Sequence, residues 1–427
     1  MSDIQPCQAT ANTKRRDWAG TLRLSVAPAL LTAGFLGAPP DALAQQWVMT
    51  PVIEIGLQHI DNPRLQETDD TENITGGLLD VAGELRRNTQ TSSVLFRPGV
   101  AIYRYSGDSD EDSEGYFLDF DAENNGQRSN WRFAANLGRE EVLRGETTSS
   151  EIDDVGVDDS VQTGTGRTFV RRERDQLRAR PGFTFEFTER TALEMDVNYI
   201  NTQYDTQEIG EAVDYTNSRV DAAIVRSLTP DSTVQLGVFA SKYEPDALNQ
   251  DTDSVGARLR YEKEVTDISS FFIEVGGQDS ELPVPALPGT EVSETSFLWN
   301  IGYARRLERT RWRFDAGQAV TPSGSGFLVQ RDLLRASMQH QLRPRWSLLL
   351  SAVLMNTDTL GADDLVVTGN DRDYAQGRVA LAYQMTQNWT IEALYGLTYQ
   401  DFADTPGDAQ EHEGRLSLVY RPPVPTS

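Results

Sequence analysis

The sequence predicts an all-β fold, a transmembrane, antiparallel, up-and-down β-barrel of about eighteen strands. Three observations lead there. From Gln45 onward, segments of about ten residues alternate apolar and polar side chains almost without interruption. These segments are joined by short tight turns and long polar loops in alternation. Past residue 44, no stretch is apolar enough to form a helical span, which needs roughly 20 apolar residues.

The first element is a leader. Basic residues at Lys14, Arg15, Arg16 and Arg23 precede an apolar run from Leu24 to Leu36, and Ala42-Leu43-Ala44 stands before Gln45. That is the three-part layout of a secretory signal with a small-residue cleavage site. The apolar run is interrupted by Pro28 and Gly34 and is too short to span a bilayer. Residues 1–44 are therefore expected to be a cleaved signal peptide and residues 45–427 the barrel. A barrel must be exported unfolded, so Arg15-Arg16 fits general secretion. Cleavage would remove Cys7, the only cysteine. The remaining chain would then form no disulfide and no cysteine-based metal or redox site, which suits an oxidising compartment.

Composition narrows the class further. Asp and Glu number 65 against 39 Lys and Arg, a balance that excludes nucleic acid, whose phosphates demand clustered cations. Hydrophobic content is only 38%, as expected where alternate residues meet lipid and the others a wet lumen. Seven Trp, sixteen Phe and fourteen Tyr argue against a disordered acidic chain.

The strands are plainest in the second half. Leu193, Met195, Val197 and Tyr199 share one face, with Glu194, Asp196 and Asn198 on the other. Phe297, Trp299, Ile301 and Tyr303 repeat the pattern, as do Trp346 to Leu354 and Trp389 to Tyr399. Short connections fall at 188–190, 229–231, 343–345 and 386–388. Longer acidic loops fall at 61–75, 108–114, 144–170, 244–251, 281–294, 358–371 and 401–411. In outer-membrane barrels short turns face the periplasm and long loops face outside, so an even strand count puts both chain ends in the periplasm. Trp131, Trp312, Trp346 and Trp389 each open a strand after a short turn, as an interfacial aromatic girdle would. A soluble β-sandwich would also alternate, but it rarely strings so many hairpins in series.

If apolar faces meet lipid, the opposite faces meet the lumen. Leu177, Ala179, Phe183, Phe185 and Phe187 share one parity, which sends Arg172, Arg174, Arg178 and Arg180 inward as a column. Arg97, Arg132, Arg219, Arg258, Arg260, Arg331, Arg335, Arg372 and Arg378 also fall on inward positions, interleaved with Glu194, Asp196, Asp221 and Glu262. Such charges can form an ion-pair network that stiffens the wall, or a selectivity ladder for anions or a polyanionic chain.

Catalytic and metal sites find little support. The three histidines, His59, His340 and His412, have no Ser-and-carboxylate partners in sequence, and neither HExxH nor a phosphate-cradling glycine loop occurs. The chain is expected not to be an enzyme and to carry no cofactor. The acidic runs at Asp108–Asp112 and Glu151–Asp159 offer oxygen ligands for divalent cations near lipopolysaccharide but lack calcium-loop spacing. They are read as solvated loops and not as metal sites.

Two resemblances add to this reading. The last strand, with Gly414, Leu416, Leu418 and Tyr420 in one phase, resembles the recognition strand by which outer-membrane barrels engage their assembly machinery, although Arg421 to Ser427 follow the aromatic. The first strand runs from Trp47 through His59-Ile60-Asp61-Asn62 to Leu65 and resembles the opening of β-barrel porins encoded with exosortase and exopolysaccharide systems. Those families carry Tyr where His59 stands. An arginine-lined barrel of this size also looks like the alginate exporter, without a residue motif that carries its binding site over. These resemblances imply an outer-membrane channel for an exopolysaccharide, plausibly anionic, working beside periplasmic export components within lipid and lipopolysaccharide. A general solute porin and a closed structural or assembly barrel, its lumen filled by side chains and the 144–170 loop, remain alternatives.

Overall fold

The structure is a computed structural model that describes residues 47–63, 65, 73–106, 112–142, 172–205, 213–246, 251–283, 291–324, 326–360, 371–402 and 407–423. The expected leader, the 144–170 loop and most of the acidic run at 108–112 lie outside them. No helix occurs among the described residues.

Eighteen strands follow one another along the chain. The first nine are β1 (Val48–Asp61), β2 (Asn73–Asn88), β3 (Ser92–Ser106), β4 (Ser113–Asn125), β5 (Ser129–Val142), β6 (Arg172–Thr188), β7 (Thr191–Tyr204), β8 (Tyr215–Thr229) and β9 (Ser232–Pro245). The rest are β10 (Thr252–Thr266), β11 (Ser269–Pro283), β12 (Glu291–Arg306), β13 (Thr310–Pro322), β14 (Leu328–Arg343), β15 (Trp346–Thr359), β16 (Arg372–Gln384), β17 (Trp389–Phe402) and β18 (Asp408–Tyr420). Each pairs antiparallel with its sequence neighbours, and β1 pairs with β18 from Ile53↔Tyr420 to Asp61↔His412, which closes the barrel. The expected strand number and up-and-down order are those observed.

The two ends of the barrel differ as the spacing predicts. Val48, Tyr420 and every short turn lie at one end, and the long connections lie at the other. Several short turns share one device. Thr89, Thr229 and Thr266 each place Oγ1 2.6–2.8 Å from the hydroxyl of a Ser three residues on, clasping the hairpin where it reverses.

Parity along the ladders separates two faces. Leu177, Phe183, Phe185 and Phe187 of β6 are exposed, as are Leu236 and Val238 of β9, Val255 and Leu259 of β10 and Phe297 of β12. Register puts these residues opposite one another, for example Leu137↔Leu177, Leu236↔Leu259 and Leu259↔Val275, so the apolar rows run on around the outside. A closed wall with every strand paired and an apolar exterior is the β-architecture that can span a bilayer. The aromatics cluster toward the short-turn end, where the tilted rings of Trp346 and Tyr383 lie 4.7 Å apart, those of Trp389 and Tyr420 4.9 Å apart, and Trp131 is opposite Phe183.

One hairpin departs from the cylinder. The β12–β13 ladder stops at Trp299↔Gln318, whereas β11–β12 continues to Pro283↔Glu291 and β13–β14 to Pro322↔Leu328. Beyond that point the β13–β14 tip leans inward. Tyr243 of β9 donates its hydroxyl to the Ser323 carbonyl at 2.7 Å, and the Val213 amide donates to the Gly324 carbonyl at 2.8 Å. Val320 and Leu328 have outward parity by count, yet both join an inner cluster with Ile200, Tyr215, Tyr243, Leu282 and Leu360. Gly326, at φ 95°, permits the reversal at the tip, in a region where a side chain would clash.

Candidate functional site

The candidate site is the inner wall. Inward residues are those opposite in parity to the exposed apolar rows, and the arginines singled out from the sequence occupy such positions on β6, β8, β10, β14 and β16. Arg172 lies on β6, but its side chain is outside the described residues. Arg174 is 2% exposed and bonds to Glu140 of β5. Arg178 and Arg180 continue the same face toward the short-turn end.

The middle of the wall is a charge lattice. Arg219 binds Asp221 through Nε at 2.9 Å and Nη2 at 3.0 Å. Asp221 also meets Arg258 at 3.3 Å, and Arg258 reaches Glu274 at 3.9 Å. Arg260 pairs with Glu262 at 3.4 Å, and Arg132 with Asp196 at 2.6 Å. Nearer the closure, Arg378 lies 3.6 Å from Glu413, both almost fully buried, and Gln58 of β1 donates to Glu413 at 2.7 Å. Tyr105 then donates to Gln58 at 3.1 Å, so one polar chain links β16, β18, β1 and β3. Arg372 donates to Gln400 at 3.0 Å, Arg331 is 4% exposed, and Arg335 lies on β14 opposite Asp315.

The wall carries more acid than the four inward carboxylates read from the sequence, Glu194, Asp196, Asp221 and Glu262. Inward positions also carry Glu54, Asp80, Asp119, Glu140, Glu274, Asp315, Glu392, Glu411 and Glu413. A desolvated guanidinium requires a counter-charge, so the wall accumulates carboxylates with its arginines. Arg313, which pairs with Asp315 at 2.7 Å, belongs to the same lattice and was missed because β13 is short of outward aliphatics.

A second device also escapes alternation counting. Phe117, Phe239 and Phe272 point inward and lie directly across from Gly99, Gly256 and Gly302 on the adjacent strands. A Cβ at any of these glycines would sit 2.0–2.2 Å from the ring, so each ring lies flat on bare backbone. On the ring's other side an arginine stacks: Arg219 over Phe239 and Arg260 over Phe272, both at 3.8 Å, and Arg97 over Phe117 at 5.3 Å. Glycine, phenyl ring and guanidinium thus form three layers that hold the cation flat against the wall.

The inward β13–β14 tip narrows the long-loop end of this lumen. It brings Ser323 against Tyr243, whose ring lies 5.5 Å from that of Tyr215, and leaves Thr321, Ser323 and Val329 nearly inaccessible. The three histidines lie on outward positions. Each places Nδ1 2.7–2.9 Å from a hydroxyl on a neighbouring strand: His59 with Thr75, His340 with Thr310, and His412 with Tyr395. None shares a catalytic arrangement with a serine and a carboxylate among the described contacts.

The first-strand signature has a local cause. Asn62 takes a left-handed conformation (φ 54°) and donates Nδ2 to the Gln410 carbonyl at 3.0 Å. Leu65 (φ 48°) returns its amide to the Asn62 carbonyl and is buried, so the turn after β1 is anchored to β18 across the closure.

No protein-family model matches the sequence, and no curated protein matches it. Solved structures with a similar arrangement include Acinetobacter baumannii OccAB4, at 9% identity and TM-score 0.46, covering 90% of this chain and 99% of that one. Pseudomonas aeruginosa OccK2 (OpdF) is similar at 7% identity and TM-score 0.47, covering 87% and 97%. The FrpB iron transporter of Neisseria meningitidis is similar at 8% identity and TM-score 0.43, covering 89% and 83%. At these identities and scores the likeness assigns this chain no activity, and the barrel rests on its own ladders.

Proposed function

We propose that this chain is a porin-like channel of the Gram-negative outer membrane, with short turns in the periplasm and long loops outside, that passively conducts an anionic exopolysaccharide. The carrying observation is the inner wall of guanidinium groups stacked on phenyl rings and braced by carboxylates, in a barrel of a strand number that leaves room for an aqueous channel. Planar donors held against a wall can hand a passing carboxylate from one arginine to the next. The lattice of counter-charges keeps any single site from trapping it. A general solute porin would use the same wall without preference for a polymer.

The inward β13–β14 tip and the apolar cluster beneath it favour a second reading, a closed barrel with a structural or assembly role. Conductance across planar bilayers separates the two. A channel gives stepwise currents with a reversal potential on the anion side, and Arg178→Ser with Arg180→Ser shifts it toward cations. Absence of current from both the full chain and a variant shortened in the 144–170 loop would overturn the channel. An unmoved reversal potential in the double variant would overturn the arginine path. Release of a charged polysaccharide from vesicles, against a neutral one of equal size, tests the substrate class.

A further inference from the structure

Carboxylates brace the arginines of the wall, but one stretch of the short-turn rim lacks them. Residues 305–311 and 343–345, at the β12–β13 and β14–β15 turns, hold six arginines against one acid, Glu308, in a chain of formal net charge -26. The turns at 188–190, 229–231 and 266–268 each carry an acid, Glu189, Asp231 and Asp267, and at most one cation. Arg306 and Arg311 stand directly opposite each other on adjacent strands, both with inward parity. Like charges in register destabilise a ladder. Two residues farther along β13, Arg313 has Asp315 at 2.7 Å. The side chains of Arg306, Arg309, Arg311 and Arg345, in contrast, make no hydrogen bond or ion pair among the described residues. Beside them lies a hollow of about 370 Å³, lined by Arg309, Arg311 and Arg345 together with Gln339, Gln341 and Gln384. Arg311 and the three glutamines have inward parity, so the hollow opens on the short-turn mouth of the lumen. The turns are fixed over it, because the Gln341 amide donates to the Arg309 carbonyl and the Gln384 amide to the Arg345 carbonyl, both at 2.8 Å.

Guanidinium groups held together against repulsion at a pore mouth, with no counter-charge of their own, call for an anion from outside the chain. We propose that the hollow binds a carboxylated sugar residue, and that a polyanionic glycan is captured here before it enters the barrel. Arg309, Arg311 and Arg345 supply guanidinium forks for the carboxylate. The amides of Gln339, Gln341 and Gln384, with the hydroxyls of Ser347 and Thr390, both donate and accept, which suits sugar hydroxyls; a bare carboxylate or phosphate offers acceptors alone. The volume falls in the small-molecule range of roughly 300–1,000 Å³. Farther in, carboxylates already engage guanidinium groups, so the mouth holds the sugar more tightly than the lumen that passes it on. The inference deepens the anionic-glycan reading and rests on it for its ligand, but its binding is measured without conduction.

The test is isothermal titration calorimetry of the full chain in detergent with trigalacturonate. Maltotriose, of equal length but uncharged, should bind at least about tenfold more weakly. Arg309→Ser with Arg311→Ser and Arg345→Ser should weaken trigalacturonate at least about tenfold, whereas Arg128→Ser with Arg190→Ser, on other turns of the same rim, should leave it unchanged. Gln341→Leu with Gln384→Leu should weaken trigalacturonate but not inorganic phosphate. Arg311→Ser alone should not lower unfolding stability in urea, since it removes a repulsion from Arg306. Binding indifferent to the triple arginine variant would overturn the site. So would hexaglutamate or inorganic phosphate bound as tightly as trigalacturonate, the first pointing to an acidic protein segment and the second to a bare anion. Silence in planar bilayers with binding intact would overturn the channel and leave the site, and current without trigalacturonate binding would overturn the site alone.

Discussion

Replacing Gly302 by Ala probes the layered arrangement of backbone, ring and guanidinium directly. The added methyl would lie 2.1 Å from Phe272 Cε1, so the ring must leave its seat on β12, and Arg260, stacked on the ring at 3.8 Å, must move with it. Overpacking of this kind costs about 1–3 kcal/mol, and loss of a cation–π contact about 0.5–1 kcal/mol. The expected destabilisation is therefore about 1.5–4 kcal/mol. Gly377 supplies the matched control, since a Cβ there meets nothing within 4 Å. Gly377→Ala should be neutral, or stabilising by up to about 1 kcal/mol through the lost freedom of the unfolded chain. Urea titration in phospholipid vesicles, followed by tryptophan fluorescence, measures both. Trimming the ring with Phe272→Leu should recover part of the loss in the Gly302→Ala background. Equal effects at the two glycines, or no coupling between Gly302 and Phe272, would falsify the layered account.

Three further outcomes follow from the geometry. Arg378→Met strands Glu413 in a buried position and should cost about 3–5 kcal/mol, whereas Arg378→Met with Glu413→Gln should recover most of it in the same titration; independent additive losses would contradict the pairing. Deleting residues 323–326 removes the inward tip and should raise single-channel conductance without lowering unfolding stability by more than the loss of Val320 and Leu328 packing predicts. Trp131, Trp312, Trp346 and Trp389, each studied as the sole tryptophan, should be quenched most by lipids brominated near the headgroup; a maximum at the bilayer centre for any of them would remove it from the girdle.

Much of this fold can be read from the sequence, because strand identity in a barrel is a two-residue period and nothing in the long alternating runs competes with it. Leu193 to Tyr199 and Trp389 to Tyr399 need no tertiary knowledge to be assigned a face. The inner wall is less legible. Phe239 and Phe272 face inward although apolar, and their seats depend on glycines of other strands, whose register no local pattern reveals. Glu411 and Glu413 sit where a loop gives way to a strand, so acid that belongs to the wall is easily assigned to the loop. The inward tip is hidden for another reason: nothing in Glu291–Ser296 or Ala319–Pro322 marks the rung at which β12 and β13 part, and the connection at 323–327 is too short to signal itself.

The way the cylinder closes sets the order in which it can form. Every ladder but one joins strands adjacent in the chain, so hairpins can assemble by local encounters whose entropic cost is small and nearly constant. The meeting of β1 with β18, across pairs such as Gln58 and Arg415, is the exception and involves almost the whole chain. Its slow step is therefore a search between the first and last strands, which meet toward the short-turn rim with Ile53 opposite Tyr420. A permuted chain, with those ends joined and new ones opened at 230–231, should trade that search for an ordinary hairpin and place the long-range encounter between β8 and β9.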